Sequence, residues 1–285
     1  MKKFQENDAI LIITDMEGIS GLIDRRLLST GGRFWREYGR ALLTEDINTV
    51  AAAIYSRGIR RIFLSENHNT GRNVIMEELL PFVQVLPPHC ANTTMCGSSF
   101  WQEFYTKEGI IGAVLLGFPA MAGSGGYLAH SWDNNVFEYI RINGRESGAI
   151  GTTAALLGEY NIPVFAVIGD ESATGEAREL IPDITTVVVK RMEKDNWIEV
   201  LPPDVVHGII FEEISKSLDK IQKIKPFRVQ SPVEFEFRVK NRDFLSFIKE
   251  EKIIIKESSV FIEAESFSEA YARFWDCYMK MMFRG

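Results

Sequence analysis

The hydrophobic and polar residues of this chain follow two patterns that alternate along most of its length. Short continuous apolar runs are typical of strands buried on both faces of a parallel sheet. Such runs lie at 9–13, 111–117 and 162–168, and the segments 59–64 and 185–190, which also contain charged residues, are predicted to be strands of the same set. Between them, as at 35–55 and 147–160, apolar residues recur every three or four positions, which indicates helices. The alternation predicts an α/β fold, with a mostly parallel sheet and helices on both faces.

The pattern changes near residue 195. A long amphipathic helix is predicted as far as Ile224, and residues 233–239 then alternate strictly, as in a half-exposed antiparallel strand. Residues 253–255 and 260–262 are candidates to pair with that strand. We therefore expect two domains, an α/β domain over 1–190 that carries the site and a smaller α+β domain over 196–285.

The last segment of the chain, 268–283, has helical spacing and many large apolar side chains. Core packing is the first explanation for such a helix. A subunit interface is the alternative, because one exposed helix would not need so much apolar surface. The smaller domain is therefore a candidate for oligomerisation.

Composition and charge narrow the classes of partner. The chain has 285 residues, 46% of them hydrophobic, which is enough for a large core. Its net charge of -7, with no concentrated basic face, argues against nucleic acid. No segment approaches the roughly 18 apolar residues of a membrane span, and the first apolar run is too short for a signal peptide. Because the three cysteines fit a reducing compartment, we expect a cytoplasmic protein that has no membrane partner.

Two carboxylates follow the first apolar run directly. Asp15 and Glu17 are two residues apart, so their side chains point the same way if the strand continues through them. Like charges this close are costly without a cation between them. His68 follows the next predicted strand and is expected at the same edge of the sheet, where α/β proteins bind ligands. A metal site is one interpretation; a carboxylate pair that only caps the following turn is the other.

The other histidines have weaker contexts. His130 lies in a loop after the third predicted strand. His89 lies near Cys90 and Cys96, but the spacing matches no common zinc pattern, so a packing or surface role is favoured. His207 falls within a predicted helix, and we expect it to be structural.

The run Asp-Met-Glu-Gly-Ile-Ser-Gly at 15–21 resembles the N-terminal signature of the D-aminopeptidases of the dipeptide-permease operon type. These are zinc peptidases that cleave short peptides with an N-terminal D-amino acid. Further similar blocks follow in the family's order: Ser65-Glu66-Asn67-His68, Ala129-His130-Ser131, Ile142-Asn143-Gly144-Arg145, Ile162-Pro163-Val164, Gly169-Asp170 and Leu180-Ile181-Pro182. The likeness covers most of the first domain.

The resemblance implies a zinc site formed by Asp15, Glu17 and His68, with His130 as the catalytic histidine. In the family the aspartate bridges to a second zinc ion, held by a histidine and a glutamate from two later blocks. Those blocks read Gly-Phe-Pro-Ala and Gly-Ala-Ile-Gly here, and Pro119 has no metal-binding side chain.

Ala149 stands at the other second-metal position and likewise offers no donor. We therefore expect one zinc ion rather than two. Glu146 is a conceivable substitute for the lost glutamate. It is equally well explained as a first-turn carboxylate that complements the dipole of the following helix.

The expected function is a metal-dependent aminopeptidase-like hydrolase of short peptides or amino-acid amides. The metal would activate a bound water, and His130 would polarise the carbonyl or stabilise the oxyanion. One alternative is a weak or inactive oligomeric homologue that binds a small ligand. Another is a magnesium-dependent phosphatase. Glu17 argues against it, because such phosphatases have a second aspartate at that position, and so does the lack of an obvious lysine at a strand end. Family members form ring-shaped homo-oligomers, which implies self-association here.

Overall fold

The computed structural model describes residues 4–69, 71–86, 99–194, 197–248 and 253–283. In chain order its elements are β1 (Ala9–Thr14), α1 (Arg40–Ser56), β2 (Arg61–Glu66), β3 (Val83–Val85), α2 (Ser99–Lys107), β4 (Ile110–Leu116), β5 (Phe137–Ile142), β6 (Arg145–Glu146), α3 (Ala149–Glu159), β7 (Val164–Asp170), α4 (Glu171–Leu180), β8 (Thr185–Met192), β9 (Ile198–Val200), α5 (Pro203–Ser217), β10 (Val233–Val239), β11 (Ile253–Lys256), β12 (Ser259–Ala264) and α6 (Phe267–Phe283). Within these ranges, no helix combines the length and the apolar character needed to cross a membrane.

The larger sheet has the strand order β3-β2-β1-β4-β7-β8-β9. Its strands are parallel except β9, which runs antiparallel to β8 at the edge. Every residue of β1 and β7 is buried, and α3, α4 and α5 pack against β7. The predicted α/β fold with a mostly parallel sheet is confirmed.

The smaller sheet is antiparallel, in the order β11-β12-β10-β5-β6. Alternate residues of β10 point into a second core, where Phe235 and Phe237 are fully buried against Phe274 of α6. Core packing, the first explanation for the apolar α6, is thus observed for most of the helix, although Phe283 is 73% exposed. The hairpin β5–β6 comes from the first part of the chain. The two predicted domain ranges stay a prediction.

The chain reverses direction across the larger sheet between β1 and β4. From β1 it continues to β2 on one side, whereas β4 lies on the other side of β1. In open α/β sheets such a switch point opens a crevice at the carboxyl ends of the strands. The segments after β1, β2 and β4 meet there.

Two glycines allow these segments to approach each other closely. The Gly18 N–H donates to the Gly117 carbonyl at 2.8 Å. A Cβ on Gly18 would lie 2.8 Å from the Phe118 carbonyl oxygen, and a Cβ on Gly117 would lie 2.3 Å from the backbone carbonyl oxygen of Asp15. Gly117 also has a φ of +78°, which disfavours other residues. Both turns therefore need glycine.

Candidate metal centre and active site

Asp15, Glu17 and His68 come together at the carboxyl edge of the larger sheet. Their ligand atoms all lie within 4.8 Å of one another. The His68 Nδ1 atom is 2.9 Å from Asp15 Oδ1 and 3.5 Å from Glu17 Oε1. All three residues are buried. The structure thus brings together the three residues that the sequence suggested as ligands.

The backbone after β1 explains why the two carboxylates point the same way. The Asp15 N–H donates to the Leu116 carbonyl at 2.8 Å, which continues the pairing of β1 with β4 for one more residue. The N–H of the intervening Met16 then donates to Asp15 Oδ1 at 2.9 Å and to Glu17 Oε2 at 3.3 Å. One backbone donor therefore orients both side chains.

The hydrogen bonds of His68 leave one ring nitrogen available for a metal ion. Its Nε2 atom is 3.0 Å from the Leu28 carbonyl oxygen, which can only accept, so Nε2 donates to it; the Asn69 side-chain amide lies 2.8 Å from the same nitrogen. Nδ1 faces the two carboxylates; without a metal ion it donates its proton to Asp15 Oδ1 at 2.9 Å, and a metal ion would take the place of that proton. A backbone carbonyl on the far nitrogen is the usual partner that orients a metal-binding histidine.

The electrostatics of the three groups also favour a cation. Burial and the charge of Glu17 raise the pKa of Asp15, against the opposing effect of His68. Burial likewise acts to raise the pKa of Glu17, but the charges of His68 and His130 outweigh it and lower that pKa. Burial acts to lower the pKa of His68, and the two carboxylates raise it well above its usual value. The two carboxylates thus compete for one positive partner.

These residues fit zinc. Carboxylate oxygen and imidazole nitrogen are zinc donors, and three protein ligands with an open position are typical of catalytic sites. The chemistry and burial of the donor set, rather than the motif alone, support this assignment.

His130 lies in the loop that follows β4, on the same side of the sheet. Its backbone N–H donates to the Ala120 carbonyl at 3.0 Å, which folds the loop back on itself. Its Nδ1 lies 2.8 Å from the Leu128 carbonyl and donates to it. Nε2 is left for other contacts, and the ring is close enough for its charge to lower the pKa of Glu17.

The two positions at which the resemblance implied lost ligands lie in neighbouring segments. A Cβ on Gly148, the residue before Ala149, would touch Met121, two residues after Pro119. A carboxylate that sequence reasoning missed binds here, since Glu176 Oε2 accepts the Met121 N–H at 2.8 Å. Burial raises the pKa of Glu176 to about 7.

Glu146 is placed differently from the expectation. It lies in β6, and α3 begins only at Ala149, so Glu146 is not a first-turn residue of that helix. Its carboxylate accepts a hydrogen bond from Arg141 at 2.9 Å on the surface of the smaller sheet. The hairpin β5–β6 pairs Arg141 with Glu146 directly and draws this carboxylate into that sheet. It does not join Asp15, Glu17 and His68.

The other histidines considered from the sequence are His207 and His89. His207 on α5 lies 2.9 Å from Asp46 Oδ1, and Asp46 also accepts the backbone N–H of Ser20 at 2.8 Å. These contacts join α5, α1 and the turn after β1, in line with a structural role for His207. The group around His89 lies outside the described residues.

Lys190 is a second residue that the sequence reasoning missed. It lies in β8 opposite Asp170, and its side chain is buried. Lys190 lies two residues before the end of β8. Asp170 itself caps α4, since its two carboxylate oxygens accept the N–H groups of Ala173 and Tyr127.

Comparison with known proteins decides the family. The family model described as D-aminopeptidase matches residues 9–275, nearly the whole chain. The chain belongs to the D-aminopeptidase family. The resemblance inferred from the motifs is confirmed.

A sequence relative and a solved structure illustrate the likeness of this chain to the family. A D-aminopeptidase of Bacillus subtilis (strain 168) is 32% identical over 216 residues, 74% of this chain and 74% of that protein. A solved structure of DppA from Bacillus subtilis, a zinc-dependent D-aminopeptidase and self-compartmentalizing protease, superposes with a TM-score of 0.86. It is 26% identical, and the alignment covers 96% of this chain and 98% of that one.

Proposed function

We propose that this family member is a zinc-dependent aminopeptidase that acts on short peptides or amino-acid amides. The observation that carries the proposal is the buried group of Asp15, Glu17 and His68 at the switch point of the sheet. Family membership over residues 9–275 gives the reaction class. The zinc dependence of the structural relative gives the metal.

Each residue has a role in this proposal. Asp15, Glu17 and His68 hold the ion, and Leu28 fixes the ring of His68 through its carbonyl. When bound, zinc lowers the pKa of a water molecule toward neutrality and polarises a carbonyl. His130 offers its Nε2 to the substrate carbonyl oxygen and stabilises the negative charge that develops there.

We propose that the site holds one ion. Neither Pro119 nor Ala149 has a donor, and Glu146 is committed to Arg141. Three protein ligands with one open position are sufficient for hydrolysis in single-zinc enzymes. The same loss of donors favours a second candidate, a homologue that binds a small ligand with little turnover.

We also propose that the chain forms a homo-oligomer, with a ring as one arrangement. The support is the structural relative, which is a self-compartmentalizing protease. The exposed end of α6, including Phe283, offers apolar surface to a neighbour. Light scattering at micromolar concentration is expected to give several times the 32.4 kDa mass of one chain, and a mass of one chain would contradict the oligomer.

Hydrolysis assays on the purified protein test the reaction. We expect release of the N-terminal residue from D-alanine or L-alanine amides and dipeptides, loss of this activity after dialysis against a chelator, and its return with one equivalent of zinc. Comparing the two stereoisomers gives the specificity. Stoichiometric zinc without hydrolysis of any of these substrates would favour the binding homologue. Hydrolysis of p-nitrophenyl phosphate that requires magnesium instead of zinc would favour the phosphatase.

A further inference from the structure

Lys190 has an unusual environment for a lysine. Its side chain is fully buried within the larger sheet, at 2% exposure. The ammonium Nζ donates to the carbonyls of Glu17 at 2.8 Å and Leu22 at 2.6 Å. It also lies 4.9 Å from the centroid of the Tyr127 ring. Two of the three ammonium donors thus bind carbonyls, and the aromatic face lies beside the charge.

The two carbonyls belong to the two ends of one turn. Glu17 is the first residue of this turn and Leu22 is the last. The Lys190 ammonium, which extends from β8, therefore bridges the two ends of the turn 17–22. In the middle of the turn, the Ser20 N–H donates to Asp46 of α1 at 2.8 Å. The segment is thereby tied to two different elements, and its first residue is a proposed metal ligand.

The aromatic contact ties a second segment to the same lysine. The backbone of Tyr127 is bound by Asp170, because the Tyr127 N–H donates to Asp170 Oδ2 at 2.6 Å. His130 follows three residues later in the same loop. The single ammonium of Lys190 therefore touches the turn that carries Glu17 and the loop that carries His130.

Such an arrangement needs a reason, because removing an ammonium from water is costly unless it is fully paired. The adjacent Val189, whose side chain points to the other face of the sheet, is buried as an apolar residue. Burial lowers the pKa of Lys190 to about 7, against the opposing effect of the charges of Asp170, Asp46 and Glu17. The donors are, however, directed at backbone carbonyls rather than at any of these carboxylates.

We propose that Lys190 is a positioning residue of the active site, which fixes the Glu17 backbone and the Tyr127–His130 loop relative to each other. Through the Glu17 carbonyl it sets where the Glu17 carboxylate stands against Asp15 and His68. Through the Tyr127 ring it sets the distance of His130 from the metal ligands. The inference rests on the proposed zinc site and adds a residue that touches neither metal nor substrate.

The test uses Lys190→Met, which keeps the length and apolar stem of the side chain and removes its three donors. We expect zinc affinity, measured by competition with a chromophoric chelator, to fall about 10- to 100-fold, as for other groups that orient metal ligands. The visible spectrum of the cobalt-substituted protein is expected to change, because Glu17 is reoriented. Amide exchange of residues 17–22 in the metal-free protein is expected to accelerate.

Two further variants separate positioning from general stability. Val189→Ala removes apolar volume from the same strand without touching Glu17, so it lowers the melting temperature and leaves zinc affinity and the cobalt spectrum unchanged. Tyr127→Leu removes the aromatic face but leaves both carbonyl contacts. It is expected to lower kcat while zinc affinity is retained. Lys190→Gln, which restores an amide donor, is expected to recover part of the zinc affinity.

The results that overturn the inference are distinct from those that overturn the function. A folded Lys190→Met protein with unchanged zinc affinity, cobalt spectrum and exchange of 17–22 would show that Lys190 only fills the core. A drop in zinc affinity of equal size in Val189→Ala would do the same. If the unsubstituted protein binds no zinc, the proposed function fails, and unchanged exchange of 17–22 would then overturn the positioning role separately.

Discussion

Replacing Asp15 with alanine is expected to leave the protein folded but without zinc and without peptidase activity. Asp15 contributes one of the three buried donors and holds the ring of His68 at 2.9 Å. With two donors left, zinc in the dialysed protein is expected to fall from one per chain to near zero. The activity is expected to fall by about three orders of magnitude, because the metal supplies several kcal/mol of transition-state stabilisation.

Thermal unfolding distinguishes loss of the metal from loss of the fold. In the metal-free protein, burial and then repulsion by Glu17 raise the pKa of Asp15. Removing one carboxylate relieves that repulsion. The metal-free variant is therefore expected to melt no lower than the metal-free parent. Added zinc is expected to raise the melting temperature of the parent alone, since only the parent binds it.

Glu66 provides a matched control for this experiment. It is a buried carboxylate at the end of β2, and its Oε2 accepts the Asn73 N–H at 2.7 Å. Glu66→Gln keeps an acceptor there and removes the charge, so zinc content is expected to stay at that of the parent. One zinc ion per chain in Asp15→Ala, measured by elemental analysis after dialysis, would refute the proposed metal centre.

Replacing His130 with alanine is expected to produce the opposite combination, with zinc retained and turnover lost. Its Nδ1 is committed to the Leu128 carbonyl at 2.8 Å, so Nε2 is the atom available to the substrate. No described contact joins it to the three ligands directly, and zinc content should therefore not change. Loss of a positioned donor or acid–base group lowers kcat by roughly 10²- to 10⁴-fold.

The control for this variant is a histidine outside the site. His207→Gln keeps an amide donor for Asp46 and is expected to retain kcat, with at most a lower melting temperature. Steady-state kinetics with zinc analysis on the same samples make the comparison. If His130→Ala keeps the kcat of the parent, the catalytic role is wrong. If it loses its zinc, His130 acts on the metal centre rather than on the substrate.

The sequence predicted the parts of the fold and site that depend on neighbouring residues. Apolar runs gave the parallel strands, and the i, i+2 spacing after β1 placed Asp15 and Glu17 on one side. His68 followed because adjacent parallel strands end at the same edge. Periodicity records the burial of each residue, and burial alone is enough for these conclusions.

Residues whose role depends on distant partners were missed or misplaced. Glu146 is expected either as a substitute ligand or as a first-turn carboxylate, but pairing within the smaller sheet places it in β6 opposite Arg141. Glu176 lies mid-helix with no motif around it, and only the fold brings it to Met121. The contact of Glu176 is tertiary and no local pattern encodes it, whereas Glu146 is placed by the hairpin that turns at Asn143-Gly144.

The amino-acid sequence by itself therefore determined the larger sheet and its edge, and it predicted the three candidate ligands; the loss of donors at Pro119 and Ala149 is what the family resemblance implies. Only the tertiary structure decided what holds those ligands in place. In the sequence, Lys190 is a charged residue that follows three valines. In the structure it donates to the Glu17 carbonyl, 173 residues away along the chain. A buried ammonium must find acceptors wherever the fold offers them, and the pattern of hydrophobic positions does not specify where those acceptors lie.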